Sequence, residues 1–188
     1  MTNTKVAVIV GSLRKGSINR QFAQALAKLA HPKLDLHIVE IGDLPLYNQD
    51  LEAELPGAVV RFKQQIEAAD AVLFVTPEFN RSFSAALKNA IEWGSRPWGK
   101  NSWAGKPGAI VGATLGAVGT AAAQSQLRSV VSAIGVALSA QPEIYLNFRE
   151  GTLIEGEIAD DAFRAVLQEW VAKFADWIVR LRGSALVL

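Results

Sequence analysis

Residues 11–19 read GSLRKGSIN and follow an apolar run at residues 6–10. Two glycines, two hydroxyls, two cations and an amide in this one stretch suit the capture of an anion. Ser12 and Ser17 can donate hydroxyl hydrogens, Asn19 its amide hydrogens, and Arg14 a forked charge. A helix opening at Ser17-Ile18-Asn19 would add its first N–H groups and the positive end of its dipole. A terminal phosphate fits this set. A helix cap accounts for Ser17 or Asn19 taken singly. The whole cluster behind a strand is what points to phosphate.

Other phosphate loops fit less well. GxxxxGK(S/T) needs lysine where Ser17 stands, and GxGxxG needs glycine where Leu13 stands. A cysteine-based phosphatase loop is excluded because the chain has no cysteine. A phospho-acceptor receiver wants an aspartate where Thr76-Pro77 stands, and no GxSxG elbow occurs. What remains is a loop that holds a phosphate without cleaving it.

A second constellation, Thr76-Pro77-Glu78-Phe79-Asn80-Arg81-Ser82, ends the apolar run at residues 71–76. Pro77 stiffens the exit from the strand. Glu78, Phe79 and Asn80 then present backbone N–H groups, an aromatic face and an amide. A planar heterocycle with imide and carbonyl edges needs such partners. A third loop, Gly112-Ala113-Thr114-Leu115-Gly116, is small enough to admit a flat ring. Adjacent strand ends offering phosphate, ring-edge and ring-face contacts fit FMN better than ATP or a coenzyme with two phosphates.

The elements that must position these loops alternate along the chain. Apolar runs at residues 6–10, 34–39, 71–76, 108–113 and about 136–145 read as strands. Between them, Phe22, Leu26 and Leu29 mark one helical stripe, and Val59, Phe62 and Ile66 a second, with Pro56 suited to its first turn. Leu87, Ala90 and Ile91 mark a third, and residues 121–134 supply a fourth. The last stripe runs through Phe163, Leu167, Trp170, Phe174, Trp177 and Leu181 at helical spacing. Near-continuous apolar strands alternating with helices predict an α/β fold with a parallel sheet and helices on both faces. Five strands predict a flavodoxin-like, doubly wound five-stranded sheet of order 2-1-3-4-5, with ligands at the carboxyl ends of the strands. Residues 1–188 read as one domain, without linker, repeat or low-complexity tract.

Half of the residues are hydrophobic and the formal net charge is +1, which argues against a disordered chain or a nucleic-acid-binding surface. The uncharged stretch 108–127 carries glycines at 108, 112 and 116, a spacing also found where membrane helices pack. Its alanines and glycines gain little on transfer to lipid, and Pro107 and Gly119 punctuate it, so it reads as strand, turn and helix. The N-terminal apolar run is too short for a span and has no cleavage pattern, so a cytoplasmic location without membrane attachment is expected.

At this point the sequence resembles a family. GSLRKGSIN and TPEFNRSFSAALKNAIEW look like signature stretches of the NADPH-dependent FMN reductases, among them the bacterial quinone and chromate reductases. Residues 43–47 (DLPLY) and 104–107 (AGKP) match its pattern as well. The resemblance implies a flavodoxin-like fold, FMN as cofactor, NAD(P)H as co-substrate, and a homodimer or homotetramer. Ser12, Arg14, Ser17, Ile18 and Asn19 would hold the FMN phosphate. Pro77, Glu78, Phe79 and Asn80 would contact the isoalloxazine, and Thr114 and Gly116 would lie near the ribityl chain and ring. Phe79 stands where relatives usually carry Tyr, Arg81 where an aromatic is frequent, Ser84 where Pro is usual, and Ala113-Thr114 in place of a Ser-rich pair. These departures bear on acceptor preference and subunit contacts. The helix around Leu87 to Trp93, with Trp98 and Trp103 nearby, is implied as part of the subunit interface.

The expected activity is hydride transfer from NAD(P)H to FMN, then passage of two electrons to a small acceptor: a quinone, azo or nitro compound, chromate or free flavin. The alternative is an FMN electron carrier that takes no hydride from a nicotinamide; such carriers are usually strongly acidic, and this chain is near neutral. No side chain is assigned a catalytic role and no metal site is expected. His31 and His37 lie away from the three loops. Glu78 is read as a backbone or subunit contact rather than a general acid, and Asp160-Asp161 as a helix-start pair rather than metal ligands.

Overall fold

The computed structural model describes residues 4–184. β1 (Thr4–Val10), β2 (Leu34–Val39), β3 (Ala71–Thr76) and β4 (Pro107–Thr114) are parallel. They alternate with α1 (Ile18–Ala30), α2 (Gly57–Glu67) and α3 (Ala85–Ser95), and α4 (Ala121–Ala133) follows β4. The first four strands lie in the order β2-β1-β3-β4, as expected. β1 is central to this arrangement: Val8 sits beside Ile38 on one side and Leu73 on the other. α2 begins one residue after Pro56, which occupies the N-cap position rather than the first turn.

The fifth strand differs from the expectation. It is not one run over residues 136–145 but two short pieces, β5 (Ala137–Leu138) and β6 (Ile144–Asn147). Both pair with β4, β5 at Pro107 and Gly108 and β6 from Val111 to Thr114, so the sheet has six strands. Pro142 lies between them and has no N–H to give to a ladder, so pairing stops and restarts around it. β7 (Leu153–Ile154) and β8 (Glu157–Ile158) form a small antiparallel hairpin that the strand pattern did not suggest. Its turn residues Glu155 and Gly156 both have positive φ, 52° and 76°, the backbone of a two-residue hairpin turn. The chain then enters α5 (Asp161–Ser184), where Asp160 accepts a hydrogen bond from Phe163 N–H as a cap.

Both faces of the sheet are covered. Val6, Val8 and Val10 pack toward α1 and α5 with Phe22, Leu26, Trp170 and Phe174. Ala7 and Ile9 point the other way, to Val59, Phe62, Ile66, Leu87 and Trp103. Uninterrupted apolar strands follow from this double burial, since alternate residues feed alternate cores. The stretch 108–127 divides into β4, a turn and α4, and among the described residues no helix is long and apolar enough to cross a membrane.

Two motifs outside the loops have plain structural uses. Asn89 and Trp93, one turn apart on α3, both donate to Pro45 O, and Asn89 accepts from Tyr47 N–H, so residues 45–47 are pinned to α3. Lys106 reaches the end of α2, donating to Ala69 O at 2.7 Å. Lys63 does the same at the end of α3, donating to Gly94 O at 3.1 Å and Lys100 O at 2.7 Å. Burial pushes the Lys63 ammonium below its ordinary pKa, with Glu67 opposing the shift. The unfolded chain then holds the proton more tightly than the native one, so the lysine's contribution to stability rises as pH climbs through the lowered native pKa toward 10.5. Lys63→Met, which leaves two carbonyls without their donor, is expected to lose about 1–2 kcal/mol at neutral pH. Urea melts of both proteins at several pH values check this. The gap should widen in alkali; a gap that narrows contradicts the assignment.

Candidate functional site

The loops after β1, β3 and β4 meet at the carboxyl edge of the sheet. Two sets of hydrogen bonds tie the first loop to the other two. Gly11 N–H donates to Val75 O at 2.9 Å, and Gly11 O accepts from Ser84 Oγ at 2.6 Å, joining the first loop to the end of β3 and the start of α3. A Cβ on Gly11 would lie 2.7 Å from Ser84 Oγ and 3.1 Å from Pro77 Cδ, so the approach needs glycine. Ser84 also caps α3 by accepting from Leu87 N–H. The residue that departs from the family pattern thus ties two site loops together.

Asn19 makes the second connection. Its side chain is buried, donating to Ala113 O at 2.8 Å and accepting from Ala113 N–H at 2.9 Å. This commits the carbonyl oxygen and one of the two amide hydrogens of Asn19 to the end of β4 and leaves the second amide hydrogen unused by that pairing. Asn19 also offers its backbone N–H. With that of Ile18 it opens α1, where no carbonyl of the helix lies four residues earlier.

Ser17 is also buried, and its Oγ accepts from Arg20 N–H at 3.2 Å as the α1 cap. The cap leaves its hydroxyl hydrogen for an anion. Gly16 precedes it at φ 68° with open space around its Cβ position, the turn that aims the helix start outward. Ser12 is partly exposed; Arg14 and Lys15 are exposed and take no ion pair among the described residues. Arg20 is not spare. It forks onto Glu40, and that bond holds the Glu40 carboxyl below its ordinary pKa. Arg14 is therefore the uncommitted guanidinium of the loop. A cleft of about 220 Å³ lined by Ser12, Arg14, Arg20 and Glu40 opens beside it toward β2.

The β3 loop is a tight hairpin. Phe79 and Ser82 exchange both backbone hydrogen bonds at 2.9 Å, and Asn80 and Arg81 between them have φ of 51° and 65°. Such a turn suits asparagine and strains arginine. Phe79 N–H is thereby occupied, which corrects the expectation that it donates to a ring. The N–H groups of Glu78 and Asn80 lie outside that pair, and the Phe79 side chain is 56% exposed. Glu78 turns its carboxylate away from solvent and accepts from Ala123 N–H in the first turn of α4 at 3.1 Å. Gln126 on α4 donates to Arg81 O and accepts from Ser82 Oγ.

Thr114 ends β4, and its Oγ1 accepts from Gly116 N–H at 3.3 Å. Asn147 on β6 donates to Gly116 O, and Phe148 N–H to Thr114 O. Asn147 had no part in the sequence reading; only the pairing of β6 with β4 brings it here. Gly112, the register partner of Thr76 on β3, has no room for a side chain: a Cβ would lie 2.3 Å from Thr76 O. Pro77 joins β3 to this cluster, and Thr76 donates its hydroxyl to Pro77 O at 2.7 Å. His31, His37 and Asp160 take no part in it. His37 pairs with Asp35, and among the described residues no group of acidic, histidine or cysteine side chains could hold a metal.

The cluster fits FMN by the chemistry of its donors. An uncommitted arginine, two serine hydroxyls and an open helix N-terminus stand at the first loop. A positive-φ hairpin with free N–H groups and a small-residue loop stand beside it, where a flat ring could lie.

Known proteins agree with this reading. The sequence profile of the NADPH-dependent FMN reductases matches residues 4–151. A 2-hydroxy-1,4-benzoquinone reductase of a Burkholderia species is 49% identical over 175 residues, covering 93% of this chain and 96% of that protein. A quinone reductase of Pseudomonas putida is 48% identical over 174 residues, covering 92% and 94%. The solved structure of a flavoenzyme NAD(P)H:(acceptor) oxidoreductase from Paracoccus denitrificans superposes with a TM-score of 0.91 at 44% identity, over 94% of this chain and 98% of that one. The chain belongs to the NADPH-dependent FMN reductase family, and so to the flavin-dependent oxidoreductases.

Proposed function

We propose that this protein is an NAD(P)H-dependent FMN oxidoreductase that reduces a quinone or a similar small acceptor. The observation that carries the reading is the meeting of an uncommitted Arg14 and an open α1 N-terminus with the β3 and β4 loops at one edge of the sheet. The quinone reductases at 48–49% identity support the acceptor class. The chemistry that FMN supplies when bound is acceptance of a hydride from NAD(P)H and return of two electrons to the acceptor.

The residues divide the remaining work. Arg14, the hydroxyls of Ser12 and Ser17 and the N–H groups of Ile18 and Asn19 hold the phosphate. Pro77 and the hairpin at 78–80 orient the ring through the backbone donors of Glu78 and Asn80. Thr114 and Gly116 keep the β4 loop low enough for the ring and ribityl chain. Phe79 presents an apolar face that excludes water and stacks against whatever planar molecule enters. No side chain is assigned to hold or move a proton: the nicotinamide and the acceptor exchange places at one open face, and the one proton that completes the reduced quinone comes from solvent there.

Alternating occupancy makes a kinetic forecast. Initial rates against NAD(P)H and a quinone should give parallel double-reciprocal lines; intersecting lines would require both substrates to be bound together. An acceptor panel of quinone, azo, nitro, chromate and free flavin substrates, run with each nicotinamide, ranks the physiological candidates.

Two further features belong to the same proposal. Exposed Phe79, Leu115, Val118 and Trp98 support a homodimer or homotetramer, to be read by sedimentation. The need for NAD(P)H supports a cytoplasmic location.

A further inference from the structure

α4 has no cap of its own. Thr120 stands at the N-cap position but makes no capping bond; its hydroxyl accepts instead from Gln124 Nε2 at 2.9 Å. The cap comes from another loop. Glu78 Oε2 accepts from Ala123 N–H, and the Glu78 side chain is 8% exposed. Its other oxygen lies 3.7 Å from an Arg81 guanidinium nitrogen, and that guanidinium is largely in solvent. The same hairpin is bound to α4 a second time, through Gln126. A sheltered carboxylate on a helix N-terminus therefore stands immediately behind the hairpin proposed above to hold the ring edge.

We infer that Glu78 is a positioning residue that locks the ring-edge hairpin to α4 and, by its charge, lowers the reduction potential of FMN held there. The inference rests on the proposed function. A hydride carries one proton and two electrons, so its transfer adds one negative charge to the ring. A fixed negative charge nearby opposes that gain, and low solvent access weakens the screening that would hide it. Glu78 also offsets the positive end of α4, which would otherwise favour the same added charge. Arg81 acts in the opposite sense, more weakly because it is exposed.

Geometry and charge can be separated in the FMN-loaded full-length protein. Glu78→Gln keeps a carbonyl oxygen for Ala123 N–H and removes the charge. Glu78→Ala removes both. FMN affinity is measured by titration and the midpoint potential against reference dyes. Glu78→Gln should bind FMN within about threefold of the wild type. Its flavin should be easier to reduce by about tenfold in the equilibrium constant, close to 30 mV for a two-electron couple. Glu78→Ala should bind FMN about tenfold more weakly, because the hairpin has lost one of its two ties to α4. Arg81→Gln should shift the potential downward, by less. A purely structural cap would leave the potential of Glu78→Gln at the wild-type value, and that result overturns the inference. If Glu78→Gln does not fold, Arg81→Gln decides, and an unmoved potential there overturns it too. A wild type that takes up no FMN overturns both this inference and the proposed function; a wild type that takes up FMN, with variant potentials equal to its own, overturns this inference alone.

Discussion

Arg14→Glu is expected to give a folded protein that no longer retains FMN. Arg14 is exposed and makes no ion pair among the described residues, so the fold loses nothing with it. A phosphate monoester carries close to two negative charges at neutral pH. Loss of a hydrogen bond to a charged group costs about 1.5–3 kcal/mol. Placing a carboxylate about 4 Å from one phosphate charge adds about 4 kcal/mol of repulsion at an effective dielectric of 20, and less where water screens the pair. Half of that total still exceeds about 1.4 kcal/mol, the equivalent of a factor of ten. FMN affinity should fall more than tenfold while the apo-protein melts where the wild type does. Lys15→Glu, one residue along and equally exposed, should weaken binding less. Equal losses in the two variants would mean that only the general field of the loop matters, and unchanged affinity in Arg14→Glu would remove Arg14 from the site.

The second large effect is on the fold. Gly112→Ala places a methyl carbon where Thr76 O lies 2.3 Å away and Thr120 Oγ1 2.6 Å away. Thr76 O is main chain in the neighbouring strand, and Thr120 is fully buried, so neither can yield cheaply. Overpacking of this kind costs about 1–3 kcal/mol, and the upper end is expected because backbone must move. The comparison is Gly116→Ala, four residues on, where the nearest atom would be 3.7 Å away. Chemical melts of the apo-proteins should show a loss of about 3 kcal/mol for Gly112→Ala and under about 0.5 kcal/mol for Gly116→Ala. If Gly116 borders the ring, its alanine variant should lose FMN affinity without losing stability. Equal stability of the two variants would contradict the packing described for β3, β4 and α4.

The parts of this molecule that were legible in sequence are those written locally. Val6 to Val10 and Ala71 to Val75 are buried on both faces, and a strand buried on both faces has to be an apolar run. The composition of GSLRKGSIN reads as an anion site because hydroxyls, a guanidinium and a helix start are all donors written within nine residues. Pro77 and the glycines of the β4 loop marked strand exits in the same way.

What was not legible depends on partners far away in the chain. Asn19 reads as a phosphate ligand, and its second task, bonding Ala113 94 residues later, has no sequence signal. Ser84 reads only as a departure from the family pattern, and its bond to Gly11 O spans 73 residues. Glu78 reads as a backbone or subunit contact, and its partner in α4 has no sequence signal, because the missing cap at Thr120 is visible only once the helix is in place. The interruption of the fifth strand did have a local signal in Pro142. The hairpin at residues 153–158 had one in Glu155-Gly156, between short apolar pairs. Both were passed over because two-residue strands are too short for periodicity to register.

The central claim is that the three strand-end loops hold FMN where a nicotinamide can reduce it and a quinone can reoxidise it. Anaerobic titration of the purified protein tests this directly. FMN should bind at one per chain, its visible absorption should be bleached by NADPH or NADH, and addition of a quinone should restore it. A protein that takes up no FMN contradicts the claim, as does bound FMN that neither nicotinamide can bleach.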